Sequence, residues 1–385
     1  MEFNLENIVR KNIWNLQPYS SARSEFDLYG NGKKELTLLD ANENPKGDLN
    51  RYPDPLQSSI KEELSKQKNL SKSQIFVGNG SDEAIDLLYR IFCEPGKDSV
   101  ITCPPTYGMY EVSAAINDVE VLKVPLCKDF SMDLEAIAQQ VRNDSSIKII
   151  WICSPNNPTG NALLKADLKH DWEAQNYTRG GMMDMPFAPE FEAEMLENQR
   201  KLDRLFGAFN GIIVVDEAYQ DFTENISFIN RLEDYPNLVV LQTMSKAHGL
   251  AGARVGFAFA STEIIELFNR TKPPYNVNEL SQRAVLERLL QSDKTQNDIQ
   301  EIITNRAFLA EHLKSFDFIN EVYPSEANFL LAQVENATEV YNYLRDNEVI
   351  IRNRSSQIAD TLRFTVGTRK ECEEVIKALS TFKKN

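Results

Sequence analysis

Lys246 lies in the run TMSKAHGLAGAR (243–254), downstream of Asp216 in VVDEAY (214–219). A lysine just past an apolar strand, among serine and small residues, can reach a bound aldehyde and form a Schiff base with it. A carboxylate leaving a neighbouring strand can keep the nitrogen of a pyridine ring protonated. The pair points to pyridoxal phosphate chemistry. In such chemistry a lysine amine of near-neutral pKa, made so by burial and cationic neighbours, moves a substrate proton.

Four further motifs fit around that pair. In VGNGSDEAIDLLYRIF (77–92) a strand ends, Gly78 and Gly80 let the backbone turn, and Ser81 caps a helix with apolar residues at Ala84, Ile85, Leu88, Ile91 and Phe92. The free N–H groups of such a helix start seat a phosphate. It is neither the GxGxxG fingerprint nor a Walker A loop. In PPTYGMY (104–110), Tyr107 can stack on a planar ring. In CSPNNPTG (153–160), the amides of Asn156 and Asn157 can donate to the phenolic oxygen of the cofactor, as can Tyr219 three residues after Asp216. Ser245 and Arg254 can bind its phosphate. Arg352 and Arg363, with Arg354 behind them, offer forked contacts to a carboxylate or phosphate. Alone, each motif also matches a helix cap, a core tyrosine, a Pro-rich turn or a surface ion pair. Their ordered occurrence carries the reading.

Strand-like runs at 74–77, 99–102, 120–124, 148–153, 211–215, 238–242 and 255–260 alternate with helical patterns. That alternation predicts an α/β fold, a large α/β/α lobe on a mostly parallel mixed sheet. Beyond Ser261 long helices give way to short strands at 329–334, 349–352 and 361–366, a smaller α+β lobe. The expected division is 45–265 for the large, cofactor-binding domain, with 1–44 and 266–385 forming the small one. A turn-rich loop covers 35–55. Residues 170–201 (HDWEAQNYTRGGMMDMPFAPEFEAEMLENQRK) exceed what a crossover needs and read as an insertion on the outer face of the large lobe.

At 385 residues the chain is long enough for two lobes. A net charge of −15 argues against a nucleic-acid partner, so any anionic substrate must be gripped by locally gathered arginines. Five cysteines without CxxC spacing and only three histidines disfavour disulfide frames, zinc sites and a Ser-His-Asp triad. No apolar run reaches membrane-spanning length and the N-terminus lacks a signal-peptide pattern. A cytoplasmic, soluble protein is expected.

From NLQPYSSAR through DANENP, NRYPDP, GNGSDE, CPPTYGMY, CSPNNPTG, VVDEAY, SKAHGLAGARVG and SEANFLLA to LRFTVGTRKE, the chain resembles the fold-type I pyridoxal-phosphate-dependent aminotransferases, specifically the histidinol-phosphate branch. The resemblance implies Lys246 as the Schiff-base lysine, Asp216 on the ring nitrogen, Asn157 and Tyr219 on the phenolic oxygen, and Tyr107 on the ring face. It implies Ser81, Asp82, Ser245 and Arg254 on the cofactor phosphate, joined by Tyr52 from the neighbouring subunit of a homodimer. Arg363 and Arg352 would grip the substrate phosphate or the carboxylates of glutamate, and Tyr19 would lie near the imidazole. The implied alternatives are an aromatic aminotransferase or a decarboxylase of a phosphorylated amino acid. Two departures stand out. His248 occupies a place where relatives carry an apolar or aromatic residue, and is expected to pack beside the cofactor loop. The insertion lengthens a connection that relatives keep short.

Overall fold

A computed structural model describes residues 3–17, 37–166 and 189–383. Seven strands form the larger sheet: β1 (Ile75–Gly78), β2 (Ser99–Thr102), β3 (Glu120–Lys123), β4 (Ile147–Cys153), β5 (Ile212–Asp216), β6 (Leu238–Thr243) and β7 (Gly256–Phe259), in the order β1-β7-β6-β5-β4-β2-β3. β3, β2, β4, β5 and β6 are parallel, and β7 runs antiparallel to both β6 and β1.

The central strands are buried on both faces, so they read as unbroken apolar runs instead of alternating ones. Alternate side chains feed two different layers. Ile150, Ile152, Ile213, Val215 and Val240 join one core, while Ile149, Trp151, Ile212, Val214 and Val239 join the other. The first layer is covered by α2 (Ser58–Lys68), α5 (Leu134–Asn143), α6 (Pro189–Ala208) and α8 (Glu279–Leu289). The second is covered by α3 (Ser81–Phe92), α4 (Met109–Ile116) and α7 (Thr262–Thr271), with the short turn α1 (Lys11–Trp14) at its rim. A three-layer α/β/α lobe results.

The smaller lobe is a four-stranded antiparallel sheet, β8 (Ile319–Val322), β9 (Phe329–Val334), β10 (Arg352–Asn353) and β11 (Thr361–Thr365), ordered β10-β11-β9-β8. Leu330, Ala332, Leu362 and Phe364 pack there with α10 (Ala337–Asp346) and α11 (Arg369–Thr381). The long helix α9 (Ser292–Leu313) joins the lobes. Its Ile299 packs with Tyr219, Phe222, Ala247 and Phe329, and its Leu309 and Leu313 enter the small-lobe core.

Three expectations shift. Ile8, Val9 and Ile13 pack with α3 and α7 on the large lobe, and Val285 and Leu289 of α8 also enter its core. The described N-terminal residues and the chain up to Leu289 therefore sit with the large sheet, because their apolar faces cover its helical layers. Strand β8 escaped sequence reading since its two central residues, Asn320 and Glu321, are exposed and break the apolar run. The proposed insertion also reaches too far. Helix α6 begins inside it and buries Leu202, Leu205 and Phe206 on the sheet, so its last part is the crossover helix between β4 and β5. Residues 167–188, the heart of the excursion, lie outside the described residues. Among the described residues no helix is long and apolar enough to cross a membrane.

Candidate active site

The motifs converge because of strand order. β4, β5 and β6 are parallel neighbours, with Cys153 beside Asp216 and Asp216 beside Leu241, so CSPNNPTG, DEAY and TMSK all leave the sheet at one end. Ligands of open α/β sheets collect at these carboxyl ends. The antiparallel β7 starts at the same end, with Gly256 beside both Thr243 and Gly78. That brings Arg254 and the start of α3 to the same place.

A cavity of ≈ 380 Å³ opens there, lined by Ser81, Asp82, Tyr107, Asn157, Asp216, Tyr219, Ser245, Lys246 and Arg254 from the large lobe and by Arg352, Arg354 and Arg363 from the small one. At one end lies an anion cradle. A Cβ on Gly256 would meet the Ser81 nitrogen at 2.2 Å, so glycine lets β7 pass directly under the helix start. Gly80 has φ +78°, and a Cβ there would meet Arg254 Nη2 at 2.8 Å. The Arg254 guanidinium consequently lies over the first N–H groups of α3, where the helix dipole also favours negative charge. The Asp82 carboxylate accepts from Arg254 Nη2 (3.3 Å) and from the Tyr107 hydroxyl (3.2 Å), holding both in position.

At the other end Asp216 is buried. Its Oδ2 accepts from the Tyr110 hydroxyl at 2.6 Å and its Oδ1 from the Ala218 N–H at 3.1 Å. Burial pushes its carboxyl up to about 6, against the pull of those two bonds. Such a group gains from a cation placed beside it. Lys246 is held below the usual lysine range, chiefly by desolvation and next by the charge of Arg363. Its Nζ stands 5.7 Å from the centre of the Tyr219 ring. The Asn157 amide donates to the Tyr219 hydroxyl (3.2 Å) and accepts from Arg363 Nη1 (2.5 Å), tying the two lobes together across the cavity. Burial raises the Tyr219 hydroxyl, so it stays a donor at neutral pH.

One expected residue, Tyr52, does not line this cavity. Tyr19 lies outside the described residues. Tyr52 is 49% exposed, stacked on Tyr275 at 4.4 Å, and lines a separate hollow of ≈ 590 Å³ with Leu49 and Leu280. His248 turns away from Lys246 into a small cavity with Gln242 and Arg288, its Nε2 4.0 Å from Asp221. Burial lowers its pKa, against the raising effect of Asp221. Sequence reading missed Tyr110, the hydroxyl partner of Asp216. The only signal was its closeness to Tyr107 in YGMY, and the two rings meet edge to face with centres 5.5 Å apart.

The sequence profile of the family described as aminotransferase class I and II matches residues 29–175 and 188–379. The chain belongs to the class I and II aminotransferases. The break in the match falls within the excursion between β4 and α6. This aminotransferase is 45% identical over 380 residues to the histidinol-phosphate aminotransferase of Christiangramia forsetii, covering 98% of this chain and 97% of that one. It is equally 45% identical over 380 residues to the enzyme of the same name from Flavobacterium johnsoniae, covering 98% of each. In fold it matches histidinol-phosphate aminotransferase from Sinorhizobium meliloti in complex with pyridoxal-5'-phosphate, with a TM-score of 0.70 at 22% identity over 86% of this chain and 83% of that one.

Proposed function

We propose that this aminotransferase uses pyridoxal 5'-phosphate to move the amino group of L-histidinol phosphate to 2-oxoglutarate, giving imidazole-acetol phosphate and glutamate in histidine biosynthesis. The observation that carries the chemistry is the meeting of a depressed lysine amine and a buried carboxylate in one cavity. The substrate follows from the two relatives named above and agrees with a wall of arginines facing Lys246.

The cavity's donor set fits the cofactor. The cradle of Ser81, Ser245 and Arg254 suits a phosphate, and Asp216, short of a cation, suits a protonated ring nitrogen. Bound there, pyridoxal phosphate supplies an aldehyde that condenses with amines and a ring that withdraws electrons. In this reading Asp216 Oδ2 holds the proton on the ring nitrogen, with the Tyr110 hydroxyl keeping the carboxylate ionised. Asn157 Nδ2 and the Tyr219 hydroxyl would donate to the phenolic oxygen, and Tyr107 would cover the ring face. Lys246 Nζ would serve as the base that takes the proton from the substrate α-carbon and gives it back later in the reaction. Arg363 and Arg352 grip the substrate anion and orient its α-carbon toward that amine.

We further infer a homodimer whose sites are shared, with Tyr52 completing the phosphate cradle of the partner. The exposure of Tyr52, Leu49 and Leu280 around one hollow supports that pairing. Five free cysteines, four of them buried, agree with a reducing compartment, and we assign the enzyme to the cytoplasm.

The deciding experiment supplies 2-oxoglutarate with one amino donor at a time. Histidinol phosphate is expected to yield glutamate far faster than phenylalanine or phosphothreonine. Faster glutamate formation from phenylalanine would replace the proposal with an aromatic aminotransferase, and gas release from phosphothreonine would replace it with a decarboxylase.

A further inference from the structure

The small-lobe wall of the cavity holds more positive charge than a carboxylate substrate requires. Arg352 and Arg363 are direct cross-strand partners on β10 and β11. Arg354 lies two residues beyond Arg352, on the same side by strand alternation, and its backbone N–H continues the ladder to the Thr361 carbonyl at 2.9 Å. All three guanidiniums reach the cavity that holds Lys246. Like charges set directly opposite destabilise a sheet, so the arrangement opposes folding unless something negative occupies the space between them.

Among the described residues no carboxylate pairs with any of the three, although the chain carries 57 acidic against 42 basic residues. Among the described residues the Arg363 guanidinium donates through its Nη1 to the neutral amide oxygen of Asn157 and lies over the Phe329 ring, and Arg354 reaches Gln357 at a long 3.5 Å. The Nε atoms of both Arg354 and Arg363 are buried without a hydrogen-bond acceptor. Burial and the two neighbouring guanidiniums together pull Arg354 down to about 10.

A carboxylate has two oxygens in one plane and is matched by a single guanidinium fork. A phosphate monoester carries close to two negative charges and three outward oxygens. Three converging forks match the phosphate and exceed the carboxylate. We propose that Arg354 is the third guanidinium of a dianion site and sets the preference for a phosphate-bearing amine over a carboxylate-bearing one. The inference rests on the transaminase reading above and adds to it a residue that separates the two half-reactions: glutamate is held without Arg354, the phosphate substrate with it.

The test uses the cofactor-loaded, full-length enzyme and the substitution Arg354→Gln. The kcat/KM for histidinol phosphate relative to that for glutamate is expected to fall on the order of 10- to 100-fold, mostly through KM. Inorganic phosphate, as a competitor of glutamate, is expected to need at least about tenfold higher concentration for half-inhibition. Equal losses for both donors, with unchanged phosphate inhibition, would overturn the proposal. Should the native enzyme use glutamate but ignore histidinol phosphate, the substrate assignment fails, while phosphate inhibition still decides the role of Arg354. Arg354→Lys keeps the charge without the fork, and it decides the question if the glutamine variant does not fold. Phosphate inhibition weaker by about threefold or more supports the fork, and native inhibition rejects it.

Discussion

The Tyr110–Asp216 contact shows how a single hydroxyl can tune the site. The hydroxyl donates to the ionised form of a fully buried acid and so works against the burial that pushes that acid up to about 6. Removing the donor raises the Asp216 pKa further, and only the ionised carboxylate can hold a proton on a ring nitrogen. Tyr110→Phe is therefore expected to weaken pyridoxal phosphate binding by the cofactor-free protein about tenfold near pH 6, a loss that shrinks as pH rises. Unchanged binding at pH 6 would separate Tyr110 from the tuning of Asp216. Lys246→Ala is expected to lower turnover on the order of 10⁴-fold and to abolish the visible absorbance of the lysine-bound cofactor, both read on folded protein. Full turnover in that variant would reject the proposed role of the lysine.

At the scale of elements, the end of β5 places two acids in succession on opposite sides. Asp216 faces the cavity, whereas Glu217 is enclosed by Ser227, Gln242 and the Phe228 N–H. Burial lifts Glu217 to about 7 despite those three donors. A carboxyl whose folded pKa lies above its unfolded value binds its proton more tightly when folded. Its ionised form is penalised above pH 7, and the penalty is relieved as pH falls through 7 toward the unfolded value. The cofactor-free protein should gain Tm between pH 8 and pH 6, and Glu217→Gln should flatten that rise; an identical slope in the variant would discount Glu217. The crossover between β4 and β5 gives a second contrast. Excising residues 171–188, which span the break in the family match, is expected to leave transamination within about twofold. Phe206→Ala on α6 should instead cost about 3–5 kcal/mol by denaturant unfolding, because that ring is fully buried on the sheet.

For the whole molecule, the placement of Tyr52 away from Lys246 in its own chain has a measurable consequence. If sites are shared, a Tyr52→Phe subunit paired with a Lys246→Ala subunit contains one complete site. Co-expressed mixed dimers should then recover about half the native activity per dimer, above that of either parent. No recovery in isolated mixed dimers would argue for sites complete within one chain. The lobes are joined by α9 and by the Arg363–Asn157 contact, which spans the cavity. The small-lobe arginines thereby face the same cavity as Lys246 and Asp216.

The sequence by itself determined the strand runs of the large sheet, the glycine-bounded start of α3, and the lysine and acid proposed to carry the chemistry. These are local properties, written in apolar runs and in side-chain types. It did not determine that Tyr110 touches Asp216, that Glu217 is walled off behind the site, or that Arg352 faces Arg363. Those facts depend on which strands become neighbours and in what register, and contacts across strands leave no trace in nearest-neighbour patterns. Nor did it show that the first described residues and α8 belong with the large sheet. An apolar helix face tells that it must be covered, and only the assembled fold decides by what.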